Sequence, residues 1–217
     1  MKLPDPEDLV RAIRAEGVRD PRVLPAFRTA PRAEFVPPDL VAQAYSDEPL
    51  PIPHGQVATQ PSLVAKMIAA LGLTGSERVL EVGTGYGFQT ALLARLSQFV
   101  ASIERWPDLA EAGRANLARQ GITNVAVVVG DGTQGVPQQA PFDAIIVSAA
   151  FPQVPPPLSE QLAPGGRLVQ PIAPGGEEEV VLFEQGPQGL LRRCTVALAR
   201  FVRLYGTHAF PEARQRP

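Results

Sequence analysis

The chain has 217 residues, enough for one α/β domain with a sizeable core but short for two independent domains. Its formal net charge of −2 gives no electrostatic reason to expect a nucleic acid as the main partner. Cys194 is the only cysteine, which excludes an intrachain disulfide and a cysteine metal cluster and favours a reducing cytoplasm.

The N-terminal third is predicted to be helical, with one extended passage. Its first residues, MKLPDPEDLVRAIRAEG, are acidic early and lack a long apolar run, so we expect no signal peptide. Apolar residues at helical spacing predict two short helices separated by an Asp-Pro dipeptide. A proline-rich, extended passage follows at 31–53, and QPSLVAKMIAALGL reads as a helix between Pro61 and Gly72. We expect residues 1–72 to form a helical extension.

Strands and helices alternate through the middle of the chain. Continuous apolar strands separated by helices are typical of a parallel sheet covered on both faces. The predicted strands are RVLEV, VASIE, VAVVV and FDAIIVSA, and the predicted helices between them are FQTALLARL and PDLAEAGRANLARQ. After GGRLVQPIA, the segments EVVLFEQ and LLRRCTVALARFVRLYG are joined through Gly186 and Gly189 and predict an antiparallel end to the sheet.

These patterns predict one α/β domain spanning 1–217. We expect a doubly wound, Rossmann-like, mostly parallel sheet with an antiparallel C-terminal finish and the N-terminal helical extension. A ligand-binding core would occupy 73–174, antiparallel strands 175–207, and a tail 208–217.

Three glycines follow the strand RVLEV directly and open a helix. Gly83, Gly85 and Gly87 thus occupy the strand-turn-helix setting in which a ligand can approach backbone amides. The spacing is G-x-G-x-G, and Phe88 stands where the dinucleotide fingerprint has its third glycine. A nicotinamide or flavin cofactor is therefore disfavoured.

Acidic residues stand at the ends of three consecutive predicted strands. Glu81 precedes the glycine loop, Glu104 ends the next strand and Asp131 ends the third. A carboxylate in the position of Glu104 can accept hydrogen bonds from both hydroxyls of a ribose, and Asp131 could reach an adenine amino group.

Together these features outline an adenosine without a phosphate chain. We infer S-adenosylmethionine as the cofactor, with its amino-acid end beside Glu81 and the glycine loop. Each feature alone has a structural alternative, a solvated charge for Glu104 or turn chemistry for Asp131. Ligands collect at the carboxyl ends of parallel strands, so the three positions converge in space and favour the binding interpretation.

At this point the sequence resembles a known family. The glycine loop, SIERWPDLAEAGRANL, GDGTQG, FDAIIVSAA and LAPGGRLVQPI are similar to the successive motifs of class I S-adenosylmethionine-dependent methyltransferases. The block VPPDLVAQAYSDEPLPIPHGQVATQPSLVAKM, at 36–67, narrows the resemblance to the protein-L-isoaspartate O-methyltransferase family. The similarity covers 5–206, and general methyltransferases do not carry this block.

The resemblance implies repair of aged proteins. Family members transfer a methyl group from S-adenosylmethionine to the α-carboxylate of an L-isoaspartyl residue, which leaves S-adenosylhomocysteine. The ester then closes to a succinimide that can reopen as aspartate. The implied partners are isoaspartyl proteins and peptides. We expect a monomer without nucleic acid, membrane or metal partners, since no 18 apolar residues run together and no metal-ligand cluster is visible.

The resemblance also implies roles for individual residues. Thr59 occupies the active-site hydroxyl position, where serine is usual; the alternative is that it caps the helix beginning near Pro61. Val57 stands where many relatives have threonine, and His54 is interpreted as shaping its loop. Candidate cofactor-binding residues are Ala58, Gln60, Glu81, Gly83, Thr84, Gly85, Tyr86, Gly87, Glu104, Arg105, Asp131 and Gly132. Candidate substrate-binding residues are His54, Val57, Thr59, Ala150 and Phe151.

Two other functions stay open at this level. The cofactor motifs are shared by methyltransferases of other substrate classes, although the block at 36–67 argues against them. A relative that binds the cofactor without turnover is the second alternative, because fold does not guarantee function. Thr59 and the three acids weigh against this loss of activity, whereas Val57 keeps the possibility open.

Overall fold

Short helices and one hairpin build the N-terminal region. The structure is a computed structural model and describes residues 5–173 and 178–211. Helix α1 begins where the Asp5 side chain accepts the backbone N–H groups of Glu7 and Asp8, a capping arrangement that satisfies otherwise unpaired donors. In chain order the elements are α1 (Pro6–Ala15), α2 (Val23–Thr29), 3₁₀ helices at Arg32–Phe35 and Pro38–Gln43, β1 (Leu50–Ile52), β2 (Gln56–Ala58) and α3 (Pro61–Leu71).

The remaining strands form one seven-stranded sheet. They are β3 (Arg78–Val82), β4 (Phe99–Glu104), β5 (Val125–Val129), β6 (Phe142–Val147), β7 (Leu162–Ile172), β8 (Glu179–Gly186) and β9 (Gly189–Leu198). Helices α4 (Phe88–Leu96), α5 (Pro107–Arg119) and α6 (Pro156–Glu160) connect them. The strand order is β5-β4-β3-β6-β7-β8-β9; the first five strands are parallel, and β8 and β9 are antiparallel. The predicted α/β fold with its antiparallel finish is confirmed.

The chain winds outward from β3 through β4 to β5 and then crosses back to place β6 on the other side of β3. The carboxyl ends of β3 and β6 therefore diverge at a topological switch point, where open α/β sheets bind ligands. The loops after β3, β4, β5 and β6 all lie at this edge. The sheet topology thus selects the place for a site before any side chain is considered.

The two faces of the sheet are covered unequally. Helices α1 to α4, with Leu117 of α5, bury apolar side chains such as Ile13, Phe27 and Met67 on one face. On the other face, the sheet packs against Leu158 of the short, five-residue helix α6. It also packs against irregular segments that include Val136 and Leu204. The prediction of cover on both faces is correct, but the second layer is mostly non-helical.

Two segments differ from their predicted form. The proline-rich passage ends in the β1–β2 hairpin, which brings Leu50 opposite Ala58. Residues 208–210, predicted as part of a tail, form a turn in which the Phe210 N–H donates to the Leu204 carbonyl. The predicted boundary at 174–175 and the rest of the tail, 212–217, lie outside the described residues. Among the helices that are described, none is long and apolar enough to cross a membrane.

Candidate active site

A cleft opens at the carboxyl ends of the parallel strands, and its empty space, counted with the solvent at its open mouth, is about 1030 Å³. Its walls come from the N-terminal hairpin, the loops after β3, β4, β5 and β6, and the segment that follows β9. The lining residues are Arg32, Phe35, Ile52, Gln56, Val57, Ala58, Thr59, Val64, Val82, Gly83, Thr84, Gly85, Tyr86, Phe88, Gln89, Ile103, Glu104, Arg105, Leu109, Gly132, Ser148, Ala149, Val202, Arg203, Leu204 and Tyr205.

The glycine loop needs its glycines. Gly83, Gly85 and Gly87 all have positive φ angles, at 100°, 53° and 90°, where a side chain would be strained. At Gly87 a Cβ would also lie 3.3 Å from the Gly113 carbonyl oxygen of α5. Gly87 therefore serves the close packing of the loop on α5, while Gly83, Gly85 and the residues between them line the cleft.

Glu104 is the acid that faces the cleft. Its Oε2 accepts the Gly85 N–H at 2.9 Å and its Oε1 accepts the Trp106 N–H at 3.1 Å. The side chain is only 5% exposed yet lines the cavity. These two bonds hold the carboxylate at the end of β4 against the glycine loop, in the position from which a ribose was predicted to be bound.

Glu81 lies beneath the cleft and does not line it. Side chains alternate along β3, so Glu81 faces the helical layer and pairs in register with Ser102 of β4. Its carboxylate accepts the Gln89 amide at 3.0 Å and the hydroxyls of Thr90 and Ser102 at 2.5 and 2.6 Å. Burial raises the Glu81 pKa to about 7 even though these hydrogen bonds favour the ionised form.

The predicted direct contact between Glu81 and the cofactor is therefore corrected. Glu81 influences the cleft through Gln89, whose amide also donates to the Ser148 hydroxyl at 3.0 Å. Gln89 and Ser148 both line the cavity. The strand alternation in RVLEV was the available signal, because it places Glu81 on the opposite face from Leu80 and Val82.

Asp131 bonds to the C-terminal segment and is not among the lining residues, and its contact with an adenine stays a prediction. Its Oδ1 accepts the Thr133 N–H at 2.9 Å and the Thr133 hydroxyl at 2.6 Å, and its Oδ2 accepts the Thr207 N–H at 2.7 Å. Burial opposes ionisation, but the bonds from Thr133 and Thr207 outweigh it and hold the Asp131 pKa well below its usual range. Asp131 ties the C-terminal segment to the end of β5, and its neighbour Gly132 lines the cleft instead.

Thr59 lies in the wall of the cleft, between β2 and α3. Its hydroxyl forms no hydrogen bond within the part of the chain that the structure describes, and it does not cap α3. The Ser62 N–H in the first turn of that helix donates instead to Asp47 Oδ1 at 2.8 Å. The capping alternative for Thr59 is therefore wrong, and Thr59 is a lining residue of the cavity.

A buried arginine organises the loop that supplies Asp47. Arg32 is 1% exposed and donates to the carbonyls of Ala44, Ser46 and Glu48 at 2.9, 2.9 and 3.2 Å. Burial lowers its pKa to about 10, partly offset by the charge of Asp47, so it remains a cation at neutral pH. Sequence reasoning missed this arginine, since nothing in PRAEFVPP distinguishes it from a surface residue.

His54 occupies the tip of the β1–β2 hairpin. Its φ angle is 62°, its ring stacks on Trp106 with centroids 3.9 Å apart, and its Nε2 lies 2.8 Å from Asp108 Oδ2. The partnership with His54 is the main cause that lowers the Asp108 pKa. These contacts pin the hairpin to the start of α5, and His54 does not line the cleft, which agrees with a loop-shaping role.

The segment after β9 closes the last side of the cleft. Ala150 donates its N–H to the Val202 carbonyl and accepts the Leu204 N–H, both at 2.8 Å. The Arg105 guanidinium lies 5.3 Å from the Tyr205 ring and 5.0 Å from the Trp106 ring. The sequence pattern did not predict that residues 202–205 line the cleft. The segment LLRRCTVALARFVRLYG was predicted as one continuous strand, whereas β9 ends at Leu198.

The cleft brings together most of the predicted site residues. Those that line it are Val57, Ala58, Thr59, Gly83, Thr84, Gly85, Tyr86, Glu104, Arg105 and Gly132. Those that do not are His54, Gln60, Glu81, Gly87, Asp131, Ala150 and Phe151. Gln60 instead donates its amide to Asp47 at 3.1 Å, and the places predicted for Ala150 and Phe151 are taken by Ser148 and Ala149. Within the described ranges, no cluster of three or more potential metal ligands occurs.

The glycine loop and Glu104 lie at the switch point of a parallel sheet that ends in the two antiparallel strands β8 and β9. This combination defines a class I, Rossmann-like methyltransferase. The chain belongs to the protein-L-isoaspartate(D-aspartate) O-methyltransferase family, whose model matches residues 5–209. The recognition made from the sequence block at 36–67 is thereby confirmed.

Curated relatives and solved structures agree with this membership. Protein-L-isoaspartate O-methyltransferase from Methanoculleus marisnigri is 54% identical over 78% of this chain and 77% of its own length. The protein of that name from Anaeromyxobacter dehalogenans is 53% identical over 90% and 93%. A solved protein-L-isoaspartate O-methyltransferase structure matches with a TM-score of 0.83 and 31% identity, over 94% of this chain and 67% of that one. A structure from Plasmodium falciparum that holds S-adenosyl-L-homocysteine shares the fold, with a TM-score of 0.79, 22% identity and coverage of 93% and 98%.

Proposed function

We propose that this enzyme transfers a methyl group from S-adenosylmethionine to the α-carboxylate of L-isoaspartyl residues in damaged proteins and peptides. The observation that carries the proposal is one cleft shared by the glycine loop, Glu104 and Thr59, in a chain of this family. Thr59 comes from the block at 36–67, whereas the other groups are general to methyltransferases. The resulting ester would close to a succinimide and reopen in part as aspartate.

The residues of the cleft fit S-adenosylmethionine. Glu104 offers carboxylate oxygens for ribose hydroxyls, and Gly83 and Gly85 present backbone that no side chain covers at those two positions. At Gly132 a Cβ would lie 2.5 Å from Val82 Cγ1. A glycine at this position therefore allows the loop after β5 to pack closely against the end of β3. Ile52, Ile103 and Leu109 supply apolar surface for a flat ring. When bound, the cofactor supplies a methyl group activated by a sulfonium centre.

The chain's own residues have mainly a positioning task. An isoaspartyl α-carboxylate has an ordinary pKa near 4 and is already ionised at neutral pH, so no general base is required. The Thr59 hydroxyl can donate a hydrogen bond to one carboxylate oxygen and thereby orient the other toward the cleft. Alignment of this kind is worth on the order of 7–11 kcal/mol in favourable cases. Val57 lacks the hydroxyl that a threonine would place there, so this wall of the cleft has one hydrogen-bond donor fewer.

The substrate is expected to enter between the hairpin and the C-terminal segment. Val57 of the hairpin is 44% exposed, and Arg203 of the C-terminal segment is also exposed; both line the cleft. Isoaspartyl residues in proteins and peptides can reach such an opening when they lie in exposed, extended segments. We also propose that the enzyme is monomeric and has no nucleic-acid or membrane partner. A cytoplasmic location is part of the same proposal, and the exposed, free Cys194 supports it because thiols stay reduced in that compartment.

The test uses two peptides that differ only in L-isoaspartate or ordinary aspartate at one position. Transfer of a labelled methyl group from S-adenosylmethionine to the isoaspartyl peptide alone, in a base-labile form, is the expected result. Labelling of both peptides, or of neither while S-adenosylhomocysteine still binds, would overturn the proposed substrate. If neither peptide is labelled, the assigned fold is unaffected, and the protein either methylates a different acceptor or binds the cofactor without catalysis.

A further inference from the structure

Arg203 holds a fixed place at the mouth of the cleft. It lines the cavity and is solvent-exposed, so it lies at the rim and not in the interior. Its two neighbours are anchored, because the Val202 carbonyl and the Leu204 N–H both bond to Ala150 at 2.8 Å. The backbone of Arg203 is therefore held against the loop after β6, and its side chain projects from a defined point.

Aromatic packing orients the side chain of Arg203. Its guanidinium carbon lies 5.2 Å from the Phe210 ring centroid, and Phe210 packs edge-on against Phe151 at 5.0 Å. Within residues 5–173 and 178–211, this guanidinium forms no hydrogen bond or ion pair. An arginine carries five N–H donors in a fixed plane, so Arg203 presents an oriented cation whose donors the described part of the chain leaves unused.

The other charged groups of the cleft are engaged elsewhere. Arg32 donates to the Ala44, Ser46 and Glu48 carbonyls, and Arg105 lies over the rings of Trp106 and Tyr205. The only acidic side chain among the described lining residues, Glu104, accepts two backbone N–H groups. Among the described lining residues, Arg203 is thus the exposed arginine, whereas Arg105 is partly buried and Arg32 is buried.

The carboxylate that accepts the methyl group is not the expected partner of Arg203. It must lie inside the cleft near Thr59 and keep its nucleophilicity, which a close ion pair would lower. A second negative charge on the peptide, next to the isoaspartyl residue, remains at the rim and suits the exposed guanidinium. A rim charge of this kind acts on encounter and on substrate choice more than on the chemical step.

We propose that Arg203 is a specificity-determining residue that favours isoaspartyl substrates with an acidic residue beside the damaged position. This inference rests on the proposed function and specifies the substrate class of the same site. The chemistry is a charge-assisted hydrogen bond from the guanidinium to a flanking carboxylate at the mouth of the cleft.

The experiment compares six isoaspartyl peptides that carry Glu, Gln or Lys either directly before or directly after the isoaspartate. For the unaltered enzyme we expect kcat/KM to be about fivefold higher with Glu than with Lys on at least one side, the range of an exposed ion pair. Arg203→Gln is expected to reduce this ratio to about twofold or less, and Arg203→Lys to keep part of it, because charge persists while the planar fork is lost.

The matched control is Arg200→Gln, an exposed arginine on the same segment that does not line the cleft. It should keep the full preference, and all variants should bind S-adenosylhomocysteine equally. The preference should also shrink when salt is raised from about 0.05 M to about 0.5 M, since screening weakens exposed pairs.

Three results would overturn the role of Arg203. The first is an unchanged preference for Glu over Lys in Arg203→Gln, and the second is the absence of that preference in the unaltered enzyme on both sides of the isoaspartate. The third is an equal loss of kcat/KM with all six peptides in Arg203→Gln, which would show that Arg203 acts on the carboxylate that accepts the methyl group. A lack of transfer to every isoaspartyl peptide is a distinct outcome, because it contradicts the proposed function as a whole.

Discussion

Asp47 Oδ1 accepts the Ser62 backbone N–H at 2.8 Å, although 15 residues separate them. The same carboxylate accepts the Gln60 amide through Oδ2 at 3.1 Å. Asp47 therefore caps α3 from a different segment and fixes the chain on the C-terminal side of Thr59, while the β1–β2 hairpin fixes the other side. The position of the Thr59 hydroxyl is set by both.

Replacement of Asp47 should lower both stability and turnover. Asp47→Ala is expected to lose about 1–2 kcal/mol in the free energy of unfolding, as for other lost helix caps. Because Thr59 then loses one of its two supports, kcat should fall while the affinity for S-adenosylhomocysteine, measured by calorimetry, stays nearly constant. Asp39→Ala, an exposed acid on the preceding 3₁₀ helix, is the control and should change neither quantity. Loss of cofactor affinity equal to the loss of kcat would contradict this assignment.

Thr59→Ala should reduce turnover with little effect on cofactor binding. A hydrogen bond to a charged group contributes about 1.5–3 kcal/mol, so kcat should fall by roughly ten- to a hundredfold. Thr59→Ser keeps the hydroxyl and should retain most of the activity. Single-turnover rates and S-adenosylhomocysteine affinity, measured on the same preparations, separate the two effects. An alanine variant with normal kcat would remove Thr59 from the catalytic arrangement.

Asp131→Ala should loosen the C-terminal wall of the cleft. The Thr207 N–H would lose its partner, so amide hydrogen exchange at 203–208 should accelerate and S-adenosylhomocysteine should bind about tenfold more weakly, as after the loss of a charge-assisted hydrogen bond. Because the Asp131 pKa is held below its ordinary 3.8, the tether is complete above that value and weakens only as the pH falls below it. Weaker binding with unchanged exchange would instead indicate direct contact between Asp131 and the cofactor.

The contribution of Glu81 to the free energy of unfolding, measured without cofactor, should decrease as the pH rises from 4.5 to about 7. Its pKa in the folded state lies above the ordinary value of 4.5, so folding favours the protonated acid, and that contribution is lost as the pH rises toward 7. A rise from 4.5 to about 7 corresponds to about 3 kcal/mol of stability.

The neutral variant Glu81→Gln tests the sign of this effect. Urea unfolding from pH 4.5 to pH 8 should show the unaltered protein losing stability relative to Glu81→Gln across the lower part of that range. Parallel stability curves for the two proteins would show that Glu81 is ionised throughout, with its three hydrogen bonds outweighing burial.

Sequence patterns alone determined the order of strands and helices, the family and the chemistry of the reaction. Apolar periodicity is a local property, and β3, α4 and β4 follow from it almost residue by residue. Gly83 and Glu104 were also predictable, because the end of a parallel strand is a defined place in any doubly wound sheet.

Tertiary structure alone decided which polar groups face the cleft. Glu81 and Asp131 stand at strand ends like Glu104, yet one points into the helical layer and the other bonds to Thr207, 76 residues away. Such choices depend on side-chain direction and on partners distant in sequence, neither of which a local pattern encodes. The same reason explains why Arg203 came to the mouth of the cleft unforeseen.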